Sequence, residues 1–470
     1  MEKEQRLLSR VMILGLGAAI SKAAVFLLMP LYTAILSPEE FGRAELIVNA
    51  ALLLMPFVSL GASDAVFRFL AGGRNERQTL VAGGKLLLAG FLGFVAILPI
   101  LSLIGGLQPY LWYLFCYVVA AVLHSFLAHV IRARGEDSFY AIQQIFCTFL
   151  TVALSFLLLP VLQLGERGYL MAIFLSDAAT ALLLAVYLLL RRERGAKQTA
   201  ESGIIRQMLR YSAPLIPTSA LWWSIAYFDR FLLLSYHGAA LIGLYAAAGR
   251  IPSLLTFGAG IFFEAWQFTA LRAPEEQRAA LFERIYGMLS AGLVALALAL
   301  ILSSRLLVGY IFAPDFADAA LYVPFLVVGA VFSALSSFLG SVYMVKLRSR
   351  QSLQTALLGA TSNFLLCFWL IPRAGAMGAV AATVVSYFLI FFCRSVQARR
   401  MLPFLQHPFK LGLSALLLLV TAWLVSTGRM MVALPVAALT LLPFVRESLL
   451  VFRLLWCYFQ QIFKKKQKES

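Results

Sequence analysis

The stretch GAAISKAAVFLLMPLYTAIL, residues 17–36, decides the fold, because it is apolar over the length of a membrane-spanning helix. It carries one charged residue, Lys22, and no other charge lies in the eleven residues before Lys22 or the sixteen after it. A lysine at the centre of a membrane helix costs about 2.5–3.5 kcal/mol on insertion scales. We therefore expect Lys22 to face a water-filled cavity or a partner from another helix.

The whole chain follows the composition of this stretch. Its 470 residues are 61% hydrophobic and 13% charged, whereas about 25% of the residues of a soluble domain are charged. The apolar runs are continuous rather than alternating, and only helices and closed barrels can span lipid. These features predict an all-α polytopic membrane protein. We predict fourteen spans, at roughly 11–36, 44–71, 80–104, 110–131, 139–162, 169–190, 211–236, 243–270, 284–312, 319–345, 351–371, 377–398, 410–427 and 430–446.

The basic residues predict the orientation. If the N-terminus is cytoplasmic, most of the 39 Lys and Arg residues fall on the cytoplasmic side, and the opposite side holds only Arg43, Arg167, Arg373 and Arg429. We therefore expect both termini to be cytoplasmic and the first helix to be retained rather than cleaved. The net charge of +17 then reflects topology and contact with anionic membrane lipids, not nucleic-acid binding.

An internal repeat divides the chain. Gly42 and Gly243 fall in similar sequence at an offset of 201, and a basic segment at 191–210 separates the two halves. The last two spans lie outside the repeat, and the basic tail is either a helix on the membrane surface or a short helix packed under the bundle. The predicted domains are a six-helix bundle over 1–200, a second over 201–400, two further spans over 401–446 and a cytoplasmic tail over 447–470.

Ionisable residues within the spans are the candidate functional residues. Asp64 and Arg68 are four residues apart and can pair on one helix face, whereas Asp229 and Arg230 are about 100° apart and face different partners. Prolines 30, 56, 214, 217 and 252 are expected to kink their helices. The candidates are Lys22, Asp64, Arg68, Asp177, Asp229, Arg230, Arg250 and Glu264, with Arg305 at the edge of its span, and we expect Asp177 to be structural.

Enzyme chemistry finds no support in the sequence. The chain has no GxxxxGK[ST] nucleotide-binding loop and no large loop rich in carboxylates, His or Arg. The four histidines are scattered without metal-ligand or triad spacing, and the five cysteines lie in apolar surroundings. We therefore expect no catalytic residues, no metal and no cofactor.

Three stretches resemble bacterial polysaccharide flippases of the Wzx type, in the multidrug/oligosaccharidyl-lipid/polysaccharide (MOP) exporter superfamily. They are SKAAVFLLMPLYTAILSPEEFGRAELI (21–47), LGASDAVFRFL (60–70) and YFDRFLLLSYHGAALIGLYAAAGRI (227–251). The resemblance implies two six-helix bundles in a V-shaped, MATE-like arrangement. It also implies an inner-membrane flippase that moves an undecaprenyl-diphosphate-linked oligosaccharide, such as an O-antigen or lipopolysaccharide unit, from the cytoplasmic to the outer leaflet.

The resemblance also implies roles for the candidate residues. Basic residues of such a cavity hold the diphosphate, and the matching positions here are Lys22, Arg68, Arg230 and Arg250, with Lys22 and Arg250 favoured. Asp64, Asp229 and Glu264 are expected to be ion-pair partners or sites for a coupling H⁺ or Na⁺. Expected partners are the lipid-linked glycan, membrane lipids and the polysaccharide polymerase or chain-length machinery.

Several alternatives stay open. A lipid II flippase of the same superfamily also has fourteen helices and a basic cavity. A multidrug or cation antiporter usually has twelve helices and an acidic pocket, and a spore-envelope homologue is a further option. A membrane glycan polymerase or ligase is disfavoured by the missing loop.

Overall fold

Every regular element in the described part of the chain is a helix, as the continuous apolar runs predict. The computed structural model describes residues 26–103, 108–191, 203–272, 274–346, 348–404 and 408–445. Ten helices in these ranges are long and apolar enough to cross a membrane. The chain is thus an all-α polytopic membrane protein, and the total of fourteen spans stays a prediction.

The chain divides into two compact units, Met1–Gly243 and Leu244–Ser470. The helices of the first unit are α1 (Met29–Ile35), α2 (Pro38–Val58), α3 (Ala62–Ala71), α4 (Glu76–Leu101), α5 (Leu111–Ala133), α6 (Asp137–Phe156), α7 (Gly165–Leu190), α8 (Ile204–Ser212) and α9 (Leu215–His237). Helix α10 (Ala239–Arg272) begins in the first unit and continues into the second. The second unit continues with α11 (Glu275–Ile311), α12 (Val323–Val345), α13 (Ser349–Met401), α14 (Pro408–Ser426) and α15 (Met430–Leu441).

The predicted division after residue 200 falls within residues 192–202, outside the described ranges, so the domains drawn from the repeat stay a prediction. The compact units divide later in the chain because α8 and α9 pack on helices of the first unit. Helix α8 contacts α3 and α4, and α9 contacts α2. Trp223 of α9 donates its indole N–H to the backbone oxygen of Asn49 at 2.8 Å.

The predicted second span, residues 44–71, is two helices rather than one. Pro56 lacks the N–H that would continue the hydrogen-bond ladder. After Val58, Leu60 and Gly61 adopt left-handed φ angles of 49° and 65°. Glycine is required at position 61, because a Cβ there would lie 2.6 Å from the Cβ of Ser212. The break separates Asp64 and Arg68 from the first part of the span.

The other helix interruptions agree only in part with the kinks predicted at prolines. A turn at Leu28 precedes Pro30, and Pro214 caps the start of α9, as expected of proline. Pro252 lies inside the continuous helix α10. The separate spans predicted at 351–371 and 377–398 are two helical segments of α13, which meet at a kink where Gly375 has non-helical angles (φ 55°, ψ −133°).

The two glycines that the repeat aligns contact each other's segments. A Cβ on Gly42 would overlap the carbonyl oxygen of Ala239 and lie 2.8 Å from the Gly243 nitrogen. A Cβ on Gly243 would overlap the carbonyl oxygen of Pro38 and lie 2.7 Å from its carbon. A shift of 201 residues converts one side of this contact into the other, because it relates Pro38 to Ala239 as well as Gly42 to Gly243. This reciprocity agrees with the repeat.

The second unit has an aromatic core. The ring of Phe338 on α12 lies 5.0 Å from that of Trp266 and 5.6 Å from those of Phe282 and Tyr286. Phe404 adds a ring 5.9 Å from Phe282. In a bilayer these contacts hold helices together by dispersion and close packing rather than by exclusion of water.

Candidate functional site

Lys22, the base that marked the first span, lies outside the described residues. Its predicted role as a cavity base stays a prediction. The same holds for the side chain of Glu264, although residue 264 itself belongs to α10.

Arg68 and Asp64 lie on α3, one turn apart, and both are exposed. Within the described part of the chain, neither forms an ion pair. The spacing that allowed them to pair therefore does not produce a pair, and both side chains are exposed. Arg68 is left as an exposed cation just after the Gly61 break.

Asp229 and Arg230 follow one another on α9 and occupy different environments, as the 100° rotation predicts. Asp229 is buried, with 2% of its surface exposed. Arg230 is half-buried, and its guanidinium lies 4.9 Å from the ring centre of Tyr227. Stacking on an aromatic face holds a guanidinium in place without neutralising its charge.

Arg250 is half-buried on α10, in the part of that helix that belongs to the second unit. The backbone oxygen of Arg250 accepts a hydrogen bond from the Ser253 hydroxyl at 2.5 Å. Its proposed contact with a diphosphate stays a prediction.

Sequence reasoning missed a buried polar line on α2. Glu45 and Asn49 are one turn apart and only 4% and 2% exposed. The Tyr169 hydroxyl on α7 donates to Glu45 Oε1 at 2.8 Å, and the Trp223 indole on α9 reaches the Asn49 backbone oxygen. Glu45 was overlooked because it stands at the start of a predicted span, where a carboxylate is usually solvated.

A second network fixes one end of the first unit. Arg43 donates to Glu166 at 2.9 Å and to Glu39 at 2.6 Å, and Tyr110 also donates to Glu166. At the same end, Ser37 and Glu40 form a capping box at the start of α2. These contacts hold the beginnings of α2 and α7 to the turn before α5. Arg43 therefore has a structural role.

A third cluster was not predicted at all. His124 of α5 contacts Asp177 of α7 through Nδ1 at 2.6 Å and Gln143 of α6 through Nε2 at 2.7 Å. The Cys147 thiol of α6 lies 3.6 Å from the same oxygen of Asp177. The residues come from three helices, so no spacing along the chain reveals them. The one available signal was that Asp177 and His124 are both ionisable groups inside predicted spans.

Comparison with known proteins gives the family. The sequence model of the family described as "Polysaccharide biosynthesis protein" matches residues 7–266, which is more than half of the chain. None of the curated proteins that were compared matches the chain.

Solved structures give the fold. The lipid II flippase MurJ, in an inward closed conformation, superposes with a TM-score of 0.68 at 13% identity, over 95% of this chain and 99% of MurJ. The MATE transporter VcmN of Vibrio cholerae gives 0.59 at 15% identity, over 85% and 98%. An outward-facing multidrug resistance MATE transporter of the MOP superfamily gives 0.57 at 16% identity, over 83% and 96%.

At these identities the solved structures show a shared fold, whereas the match to the family model shows membership of the family. Both agree with the resemblance to Wzx-type flippases carried by the first, second and seventh predicted helices. The chain therefore belongs to the polysaccharide biosynthesis protein family and has the fold of the MOP superfamily transporters.

Proposed function

We propose that this protein is a flippase that moves an undecaprenyl-diphosphate-linked oligosaccharide from the cytoplasmic to the outer leaflet by alternating access. The observation that carries the proposal is the match to the polysaccharide biosynthesis family over residues 7–266. The fold shared with a lipid II flippase supports a lipid-linked substrate. The role is transport rather than catalysis, and no cofactor is required.

The chemistry of the substrate explains why bases stand inside the spans. A diphosphate carries two or more negative charges, and cations lower the cost of bringing them into a region of low dielectric. Lys22 and Arg250 are the proposed main contacts, with Arg68 and Arg230 in supporting roles. Arg68 is exposed on α3, and the guanidinium of Arg230 stacks on the ring of Tyr227.

The acids have a proposed role in energy coupling. Asp64, Asp229 and Glu264 would bind a coupling H⁺ or Na⁺ or balance the charge of nearby bases. Asp229 is a stronger candidate than the exposed Asp64, because a buried carboxylate changes its environment more when it gains or loses a cation.

The proposed setting is the bacterial cytoplasmic membrane, with both termini in the cytoplasm. This placement rests on the asymmetric distribution of Lys and Arg. Proposed partners are the lipid-linked glycan, the surrounding lipids and the polymerase or chain-length machinery that uses the product.

Two other functions have specific support. A lipid II flippase is favoured by the similarity to MurJ, whose TM-score of 0.68 exceeds those of the two MATE transporters. A multidrug antiporter is favoured by the MATE structures, which cover less of this chain.

Complementation separates the three functions. The full chain is expressed in three strains that lack, respectively, a polysaccharide flippase, the lipid II flippase and a multidrug exporter. We expect it to restore surface glycan only in the first strain. Rescue of viability in the second strain or of drug resistance in the third, without surface glycan in the first, would overturn the proposal.

Variants test the roles of the bases in the same assay. We expect Lys22→Ala and Arg250→Ala to reduce surface glycan about tenfold, the effect of losing one charge-assisted contact. Lys85→Ala is the matched control, because Lys85 is an exposed lysine on α4 that is not among the proposed contacts. Normal glycan with both variants at normal expression would remove these residues from the site.

A further inference from the structure

The cluster of His124, Cys147 and Asp177 combines one nitrogen, one sulfur and one oxygen ligand in a small volume. One ligand atom from each residue lies within 4.8 Å of the other two. The side chains of His124 and Asp177 are only 12% and 17% exposed. Helices α5, α6 and α7 each contribute one of the three residues, so the cluster forms only when these helices are packed.

Gln143 orients the imidazole ring of His124. Its side-chain oxygen lies 2.7 Å from Nε2 and accepts a hydrogen bond from it. In the hydrogen bond between Nδ1 and Asp177 Oδ1 a proton lies between the two atoms. An ion that displaces this proton, and the proton of the Cys147 thiol, would bind the lone pair of Nδ1. A hydrogen bond from the outer ring nitrogen to a fixed acceptor is the usual support of a metal-binding histidine.

The distances suit a tetrahedral ion after a small adjustment. Ligands at about 2.3 Å for sulfur and 2.0 Å for oxygen stand about 3.5 Å apart around a tetrahedral centre, and Cys147 Sγ lies 3.6 Å from Asp177 Oδ1. The contact of 2.6 Å between His124 Nδ1 and Asp177 Oδ1 must widen to about 3.3 Å. A rotation of the Asp177 side chain provides this change.

The ligand types and their charge select the metal. Imidazole, thiolate and carboxylate together are typical of Zn²⁺, and purely oxygen ligands would suit Na⁺, Mg²⁺ or Ca²⁺ better. A thiolate and a carboxylate cancel the two charges of the ion, so the centre is neutral, as the membrane interior favours. The fourth position is available to water.

We propose that His124 Nδ1, Cys147 Sγ and Asp177 Oδ1 bind one Zn²⁺ ion that links α5, α6 and α7. The sequence predicted no metal and a structural role for Asp177. The proposed site differs from both expectations, because its ligands become neighbours only when α5, α6 and α7 pack together. It does not depend on the proposed transport substrate.

The test uses the full chain, purified in detergent with an affinity tag that contains no histidine. The protein is stripped of metal by chelation and titrated with Co²⁺, whose bond to a thiolate produces a charge-transfer absorption. We expect one Co²⁺ per chain, appearance of this absorption, and its loss when Zn²⁺ is added. We also expect Zn²⁺ to raise the melting temperature.

Variants identify the ligands. Cys147→Ser should remove the charge-transfer absorption, and His124→Ala and Asp177→Asn should abolish stoichiometric binding. Gln143→Ala should weaken binding by about 10- to 100-fold. The matched controls are Cys116→Ser, a half-buried thiol on the same helix as His124, and His129→Ala, whose ring contacts the backbone of Ser125. Both controls should bind as the unaltered chain does.

Three results would overturn the inference. The first is that the unaltered, monodisperse chain binds no Co²⁺ or Zn²⁺ in stoichiometric amount, which would make the cluster a hydrogen-bonded pair with a neighbouring thiol. The second is that the thiolate absorption persists in Cys147→Ser. The third is that His124→Ala and His129→Ala weaken binding equally.

Discussion

The two units bury charge of opposite sign. Among the described Asp, Glu, Lys and Arg residues of the first unit, those almost fully buried are Glu45 and Asp229, at 4% and 2% exposure. In the described part of the second unit the corresponding residue is Arg394, at 4% exposure. Arg394 donates to the Ser336 carbonyl at 2.9 Å and to the Thr355 hydroxyl at 3.1 Å.

This difference separates two kinds of chemistry. A carboxylate in a membrane can be neutralised reversibly by a proton or a metal ion, whereas a guanidinium keeps its charge at any accessible pH. Both described buried carboxylates and the His124–Asp177 contact lie in the first unit. The second unit is held by its aromatic core, and Arg394 contributes fixed hydrogen bonds to it.

The largest effect is expected in the aromatic core of the second unit. Phe338 has no exposed surface, and replacing it with alanine removes ring contacts to Trp266, Phe282 and Tyr286. Phe338→Ala should lower the free energy of unfolding by about 3 kcal/mol, measured by thermal denaturation in detergent. Phe409→Ala is the control, since Phe409 is 84% exposed. Equal melting temperatures for the two variants would show that this core does not stabilise the unit.

The next effect is expected at the reciprocal glycine contact of the first unit. Gly42→Ala places a methyl group against the backbone of Ala239 and Gly243, which cannot move aside as a side chain can. We expect a loss of about 2 kcal/mol, and a similar loss for Gly243→Ala. Gly249→Ala, on the same helix with no atom within 4 Å of its added Cβ, should leave the melting temperature unchanged. An unchanged melting temperature for Gly42→Ala would mean that the backbones at Gly42 and Gly243 lie farther apart than in the structure.

A smaller effect is expected at Arg394. Arg394→Gln loses hydrogen bonds to two neutral oxygen acceptors, which should cost about 1.5 kcal/mol of unfolding free energy. Binding of Co²⁺ should stay unchanged, because the proposed metal ligands belong to the first unit. A change in metal affinity with unaltered stability would reverse the assignment of roles to the two units.

The smallest effect is expected at an exposed ion pair of the second unit. Lys346 Nζ lies 3.1 Å from Glu275 Oε1, whose side chain is 78% exposed. Exposed pairs of this kind are solvated in both the folded and unfolded states, so Lys346→Ala should leave the melting temperature unchanged at physiological salt. A clear drop in low salt that disappears in high salt would show that the pair contributes after all.

The sequence predicted the helices well because the cost of exposing a polar backbone to lipid leaves few alternatives. From the third span to the last, each predicted span overlaps a helix of the structure, whereas the second covers two helices. The break at Leu60 and Gly61 was missed, because the close approach of Gly61 to Ser212 joins residues about 150 positions apart and leaves no local pattern in the sequence. The offset of 201 did identify Gly42 and Gly243, which lie at one close contact.

The site was less predictable than the fold. The sequence identified Asp229 and Arg230 as different in environment, because consecutive helical residues face different directions. It did not predict the contact of Glu45 with Tyr169, or the cluster of His124, Asp177 and Cys147. These partners are 23 to 124 residues apart in the sequence and meet only through helix packing. Lys22 and the side chain of Glu264 lie outside the described residues, so their predicted roles stay predictions.

The central claim is that this chain flips an undecaprenyl-diphosphate-linked oligosaccharide. The most direct measurement reconstitutes the full chain in liposomes and follows how fast a lectin added outside gains access to labelled oligosaccharide from the inner leaflet. The account predicts a rate well above that of protein-free liposomes, reduced about tenfold by Lys22→Ala or Arg250→Ala. A rate equal to that of protein-free liposomes, in vesicles where the same chain moves lipid II or a cationic drug, would contradict it.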